Sequence, residues 1–163
     1  MLNDLYTPND IQDIILKALD KLFTCDFDLL SLDANERSIT HKLAEHLTPH
    51  FNDFSVDCEY NRYESSTKQL VYSCGLASTT TDTEGRTVFP DIIVHKRKSQ
   101  NHNLLVIEVK KSSNRATNCD KEKIMAFLAP PYNYTFGYTL VIPSGPSACP
   151  ADVKLTLIEP VPL

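Results

Sequence analysis

The chain has 163 residues, of which 42% are hydrophobic and 23% are charged. This size and composition predict one globular domain over residues 1–163 and exclude a chain that is disordered throughout. No apolar run approaches the roughly 18 residues that cross a bilayer, and residues 1–4 lack the basic start of a secretory signal. We therefore expect a cytoplasmic protein outside the membrane, and the five scattered cysteines predict reduced, mostly buried thiols.

The net charge of −5 bears on the class of partner. Neutralising phosphates supplies much of the affinity of nucleic-acid-binding proteins, so an acidic balance argues against such a partner. The acidic residues are unevenly spread, however, because residues 95–123 contain eight Lys or Arg side chains and only three Asp or Glu side chains. This segment is locally basic, which weakens the objection.

Two helices are predicted in the first third of the chain. Apolar residues recur at helical spacing over 8–23, where Thr7 is a candidate cap and Pro8 suits a first turn. A second helix is predicted from Asp33 to Leu47, because Pro49 prevents its continuation.

Strand patterns follow the helices. Residues 54–61 alternate apolar and polar side chains, and 69–75 also resemble a strand. Residues 78–85 are polar turn formers and predict an exposed loop. The apolar runs 88–95 and 103–110 are separated by a short polar segment and predict a hairpin, with the second run apolar on both faces and therefore central in its sheet.

The last third predicts a helix over 120–128, ending before Pro130, and strands over 138–142 and 153–158. A strand that follows a crossover helix requires a parallel pairing. The order of elements therefore predicts an α/β fold with a central mixed sheet flanked by helices on both faces.

Three ionisable residues lie where the predicted hairpin strands meet. Asp91 opens one run, and Glu108 and Lys110 close the other on the same face, because residues two apart on a strand point the same way. Two adjacent carboxylates repel unless a cation bridges them, and Mg²⁺ is typically held by one or two carboxylates and water. The alternatives are a strand-end salt bridge for Glu108 and Lys110, and a turn function for Asp91.

A fourth acidic residue lies on the second helix. Glu36 shares a helical stripe with Ile39, Leu43 and Leu47, so it is directed toward the core side of the helix. A first-turn acid also complements the helix dipole, which is the alternative explanation.

Together these features resemble the PD-(D/E)xK nuclease superfamily, in the form of a small restriction-endonuclease-like domain. The resemblance covers about a third of the chain, in segments 35–47, 88–97, 103–111 and 120–127. It implies an αβββαβ core and a site in which Asp91, Glu108 and the Val109 carbonyl ligate Mg²⁺ or Mn²⁺, with Glu36 completing the shell through water.

The resemblance also implies roles for three lysines. Lys110 would position or help deprotonate the attacking water and offset the charge that develops on phosphorus. Lys123 is a candidate phosphate contact on the following helix. Lys111 is the alternative to Lys110 as the catalytic lysine, although strand alternation points it the other way. It is also predicted to bind substrate.

The expected function is metal-dependent hydrolysis of phosphodiesters, with DNA as the expected nucleic acid and a homodimer as a possible assembly. A catalytically inactive relative that binds a protein or nucleic acid is the first alternative, which the acidic balance favours. Hydrolysis of RNA is the second, because no feature of the sequence separates RNA from DNA.

Overall fold

A computed structural model describes residues 5–63, 66–67, 69–70, 86–87, 89–99, 101–114 and 118–160. Predictions for 71–85, 88 and 115–117 lie outside these residues. The helices are α1 (Pro8–Cys25), α2 (Phe27–Ser31), α3 (Glu36–Leu47) and α4 (Asn118–Leu128). Two single turns of 3-10 helix span Thr48–His50 and Pro150–Asp152.

Local capping sets the helix starts. Thr7 and Asp10 form a reciprocal capping box ahead of α1, as the sequence predicted for Thr7. The helix predicted from Asp33 begins three residues later, at Glu36, because Asp33 has a positive φ of 51°. Asn35 caps α3 by accepting a hydrogen bond from the backbone N–H of Arg37 at 2.8 Å, so Glu36 is the first residue of the helix.

Five strands form the main sheet in the spatial order β1–β6–β7–β8–β9. Their bounds are β1 (Ser55–Cys58), β6 (Ile92–His95), β7 (Asn103–Lys111), β8 (Phe136–Ile142) and β9 (Lys154–Ile158). β7 pairs parallel with β8, and the other three pairings are antiparallel. The predicted mixed sheet, the hairpin and the central position of 103–110 are therefore confirmed.

Four very short strands are described between β1 and β6, on either side of the undescribed residues 71–85. They are β2 (Arg62–Tyr63), β3 (Ser66–Thr67), β4 (Gln69–Leu70) and β5 (Arg86–Thr87). β2 pairs with β3, and β4 pairs with β5, in two separate two-stranded units. The part of the predicted strand 69–75 that is described thus lies outside the main sheet, and β1 pairs directly with β6.

Helices cover both faces of the sheet. α1 and α3 pack on one face, against the buried side chains of Ile107, Val109 and their neighbours. α4 packs on the other face through Ile124, Phe127 and Leu128. Gly137 permits this close packing, since a Cβ there would overlap the Cγ2 of Ile124.

The thiols depart from the prediction. Cys119 is disulfide-bonded, while Cys25, Cys58 and Cys149 are free and two of these, Cys25 and Cys149, are exposed. The prediction of reduced and mostly buried cysteines is therefore wrong for Cys119, and wrong about burial for the exposed pair. Within the described part of the chain, no helix combines the length and apolar character that a membrane crossing requires.

Candidate functional site

The register of the hairpin brings Asp91 beside Glu108. Ile92 pairs with Ile107 across the antiparallel β6–β7 ladder, so the preceding Asp91 lies opposite Glu108. The Oδ2 of Asp91 accepts a hydrogen bond from the Val109 N–H at 2.8 Å. This bond fixes the Asp91 carboxylate at the strand junction, and Val109 contacts it through its amide group.

Glu108 is a buried carboxyl group with an incomplete set of partners. Only 2% of the residue is exposed, and its Oε2 accepts a hydrogen bond from Lys123 Nζ at 2.8 Å. Its Oε1 has no hydrogen-bond partner among the described residues. Burial, followed by the nearby charge of Asp91, raises the pKa of Glu108 to about 8 despite the attraction of Lys123.

Lys110 lies between two acidic side chains from different helices. Its Nζ is 3.4 Å from Glu36 Oε1 and 3.8 Å from Asp120 Oδ1. Burial alone would lower the pKa of Lys110, but the surrounding carboxylates, Asp120 first, raise it above its ordinary value. The ammonium group is therefore firmly protonated at neutral pH.

Glu36 joins α3 to the end of β7. Its Oε2 accepts hydrogen bonds from the Lys111 N–H at 3.0 Å and from the Asn114 side-chain amide at 2.7 Å. Burial would raise the pKa of Glu36, but these two donors and Lys110 lower it. The Glu36 carboxylate therefore stays ionised near neutral pH and holds the ammonium group of Lys110 in place.

The two remaining lysines are engaged with protein groups. Lys111 Nζ pairs with Asp33 Oδ1 at 3.0 Å on the loop before α3, away from Lys110 as strand alternation predicted. Lys123 Nζ reaches the site, as its place on α4 suggested, but it donates to Glu108 and to the Phe89 carbonyl at 2.8 Å. In this structure Lys123 is thus the counter-ion of Glu108.

Asp120 is a site residue that the sequence analysis did not identify. It lies in the first turn of α4, and burial raises its pKa, an effect that Lys110 partly offsets. The available signal was its spacing: Asp120 precedes Lys123, Ile124 and Phe127 on one helical face. The sequence analysis directed Lys123 and the later residues of this face toward the sheet and did not include Asp120.

Two cavities flank the carboxylate pair. One has a volume of about 520 Å³ and is lined by Glu108, Lys110, Asp120 and residues of β8 and β9. The other has a volume of about 390 Å³ and is lined by Glu36, Asp91 and residues of α3 and β1. Glu108 lines the first cavity and Asp91 lines the second.

Asp91 and Glu108 are the two carboxylates that the sequence analysis assigned to a divalent cation. No group of three or more His, Cys, Asp or Glu side chains arranged to hold a metal occurs among the described residues. Mg²⁺ typically takes one or two carboxylates plus waters, and within the described part of the chain Glu108 Oε1 is a buried oxygen without a hydrogen-bond partner.

Comparisons of the chain with protein families, with curated proteins and with solved structures found no match in any of the three. The chemistry of the site therefore rests on the residues themselves: an adjacent carboxylate pair, a protonated lysine one position along the same strand face, and an opening on each side.

Proposed function

We propose that this protein is a metal-dependent phosphodiester hydrolase of the PD-(D/E)xK type, acting on DNA. The observation that carries the proposal is the pairing of Asp91 with Glu108 beside a protonated Lys110. Among the described residues, one oxygen of the buried Glu108 has no hydrogen-bond partner, and such a group is costly unless a ligand uses it. A purely structural ion pair has no need of a buried oxygen that lacks a hydrogen-bond partner.

The order of elements supports the same proposal. α3, β1, β6, β7, α4 and β8 follow one another as α-β-β-β-α-β, with the short strands β2–β5 inserted between β1 and β6. The four strands of this series are neighbours in the sheet. This is the arrangement that the resemblance implies for a restriction-endonuclease-like core, and it brings the ends of β6 and β7 next to α3 and α4.

Asp91 and Glu108 would hold Mg²⁺ or Mn²⁺, with the Val109 carbonyl as a further ligand and Glu36 acting through water. When bound, such a cation polarises a phosphoryl oxygen and lowers the pKa of attached water. Asp91 is pre-positioned for this by the Val109 N–H. Glu108 contributes its unpartnered Oε1, while Lys123 retains Oε2.

Lys110 acts as an electrostatic group in this proposal. Its raised pKa keeps the ammonium protonated, so it offsets charge on the phosphoryl oxygens and orients the attacking water by hydrogen bonding. Glu36 and Asp120 hold it from opposite sides. A protonated lysine is a poor base, so of the two roles that the resemblance implied, we favour positioning over proton abstraction.

An inactive binding protein is the second candidate, and the Lys123–Glu108 pair favours it. Lys123 already supplies a positive charge to the buried carboxyl group, as a purely structural ion pair would. In that case the Asp91–Glu108 pair would bind no divalent cation, which separates the two candidates without an activity assay.

Calorimetric titration of Mn²⁺ and Mg²⁺ into the wild type, Asp91→Ala and the exposed control Asp13→Ala tests the proposal. We expect binding in the wild type and the control and its loss in Asp91→Ala. Incubation of the same proteins with DNA and RNA should show cleavage of DNA that follows metal binding. Binding of metal without cleavage, or no binding by the wild type, would contradict the proposal.

The assembly is part of the same proposal. Cutting both strands of a duplex with one site per chain requires two copies, so a homodimer is expected if the products are double-strand breaks. Light scattering on the protein with and without DNA measures this directly, and a monomer that only nicks would remove the homodimer from the proposal.

A further inference from the structure

A polar row crosses three strands on the face of the sheet that carries α4. Glu108 of β7 is in register with Thr139 of β8, and Thr139 is in register with Thr156 of β9. Thr139 is half-buried and Thr156 is exposed. The row therefore leads from the buried carboxyl group to the edge of the sheet.

Helix α4 covers the neighbouring row instead. Val106, Gly137 and Ile158 are in register across the same three strands, and they lie beneath Ile124 and Leu128 of the helix. The row of Glu108, Thr139 and Thr156 lies two residues away from this row along each strand. It forms the floor of the cavity of about 520 Å³, with Asp120 and Lys121 of the first turn of α4 at its side.

We infer that this groove, defined by Glu108, Thr139, Thr156 and Lys121, binds one strand of a single-stranded nucleic acid next to the phosphate that is cleaved. The inference rests on the proposed function and adds the strandedness of the substrate. Two hydroxyl groups and an ammonium group offer donors to phosphate and sugar oxygens.

The size of the groove favours a single strand over a duplex. A volume of about 520 Å³ is that of an ordinary small-ligand site, which suits a short stretch of one strand. A duplex is rigid and its major groove alone is about 12 Å wide, so it is too wide to enter a cavity of this size. A flexible strand can enter.

The charge of the groove makes this binding depend on a divalent cation. Lys110 and Lys121 face three acids, Glu108, Asp120 and Glu159, so the lining alone does not attract a polyanion. A cation held by Asp91 and Glu108 reverses that balance. The metal and the strand are therefore expected to bind cooperatively.

Fluorescence anisotropy tests the groove without turnover. Labelled oligonucleotides of one sequence, as single-stranded DNA, single-stranded RNA and duplex DNA, are titrated in Ca²⁺, a hard cation that also takes oxygen ligands. The variants are Lys121→Ala and the double variant Thr139→Val/Thr156→Val, which keeps side-chain shape and strand propensity. The controls are Lys17→Ala and Thr24→Val on α1, both exposed, and thermal unfolding verifies that each variant is folded.

We expect the wild type to bind single strands at least about tenfold more tightly than the duplex, and the double variant to lose roughly tenfold with little change in the controls. Binding should be weak in chelator. The DNA and RNA arms determine which sugar is accepted. Equal or tighter binding of duplex, or an unchanged double variant, would overturn the inference.

Cleavage separates failure of this inference from failure of the proposed function. Metal-dependent cutting of plasmid duplex that leaves single-stranded circles intact would overturn the groove assignment and preserve the proposed nuclease. If neither form is bound or cut, both fall. Cutting of single strands, reduced in the double variant and abolished in Asp91→Ala, supports both.

Discussion

At the scale of single residues, the environment of Glu108 is the most costly feature of the site. A buried carboxyl group requires partners for both oxygens; of the residues that the structure describes, Lys123 bonds Oε2 and none bonds Oε1. Its neighbour Asp91 is itself fixed by the Val109 N–H and repels the ionised form of Glu108. The fold therefore accepts a penalty that a neutral side chain would avoid, which is typical of residues retained for binding or chemistry.

This penalty predicts a pH dependence of stability. In the folded protein without a bound cation, burial raises the pKa of Glu108 to about 8, above its ordinary value of 4.5 in an unfolded chain. Between these values the unfolded state binds fewer protons, so the free energy of unfolding falls as the pH rises. Glu108→Gln removes this contribution, and relative to it the wild type should lose on the order of 2–4 kcal/mol across the window.

Urea unfolding of both proteins between pH 5 and pH 9 measures the difference, at about one pH unit per step. Glu159→Gln, at an exposed position, is the control and should follow the wild type. Parallel curves for the wild type and Glu108→Gln would show that Glu108 ionises in the folded state at ordinary pH.

Residue by residue, the sequence predicts the site in part. Strand alternation and hairpin pairing were sufficient to place Asp91, Glu108 and Lys110 together, because both follow from local periodicity. The partners of Lys111 and Lys123 were not predictable, since they depend on contacts with Asp33 and Glu108 across the fold. Asp120 was missed although its helical spacing from Lys123 and Ile124 was a local signal for the same face of α4.

At the scale of elements, the start of α3 controls the position of Glu36. Asn35→Ala removes the side-chain cap of this helix and should lower the free energy of unfolding by about 1 kcal/mol. Because Glu36 is the next residue and holds Lys110, the variant should also reduce the rate of cleavage by several-fold. Chemical unfolding and cleavage assays measure the two effects.

Thr7→Ala is the matched control for this prediction. It removes the equivalent cap of α1, which lies away from the carboxylate pair, and should cost a similar free energy while leaving cleavage unchanged. Equal loss of activity in both variants would attribute the effect of Asn35→Ala to stability alone.

The packing of α4 on β8 gives a second prediction at this scale. Gly137→Ala places a Cβ against Ile124 and Leu128 and should lower the free energy of unfolding by about 1–3 kcal/mol. Ile124→Ala removes the Cγ2 that the new Cβ would overlap. The two changes should therefore cost less together than the sum of their separate costs in a thermal-unfolding cycle, and strictly additive costs would contradict the contact.

Element by element, α1, α3, α4 and the main-sheet strands were predicted within a few residues, because amphipathic periodicity is a local property, whereas the five-residue helix α2 was not predicted. The start of α3 was not, since the positive φ of Asp33 is a turn feature without a strong sequence signal at Asp. β4 pairs with β5 outside the main sheet. Local sequence patterns do not predict this pairing, because it joins residues that are distant in the chain.

At the scale of the whole molecule, the balance of charge separates this protein from basic nucleic-acid-binding proteins. The chain carries −5 overall, and the inferred groove contributes Lys110 and Lys121 as its cations. Affinity for a strand must then come mainly from the divalent cation and from hydrogen bonds, because the surface as a whole does not attract phosphates. Electrostatic steering over long distances is correspondingly weak.

The dependence of strand binding on salt should therefore be shallow. With two lysines contacting phosphates and a slope of about −0.7 per contact for single strands, the logarithm of the association constant should fall with a slope of about −1.4 against the logarithm of the KCl concentration. Anisotropy at saturating Ca²⁺ between about 50 mM and about 200 mM KCl measures this slope. Lys121→Ala should reduce its magnitude by about 0.7, whereas Lys17→Ala should not change it. A slope of about −3.5, the value for five contacts, would instead extend the strand onto further cations such as Lys96, Arg97 and Lys98.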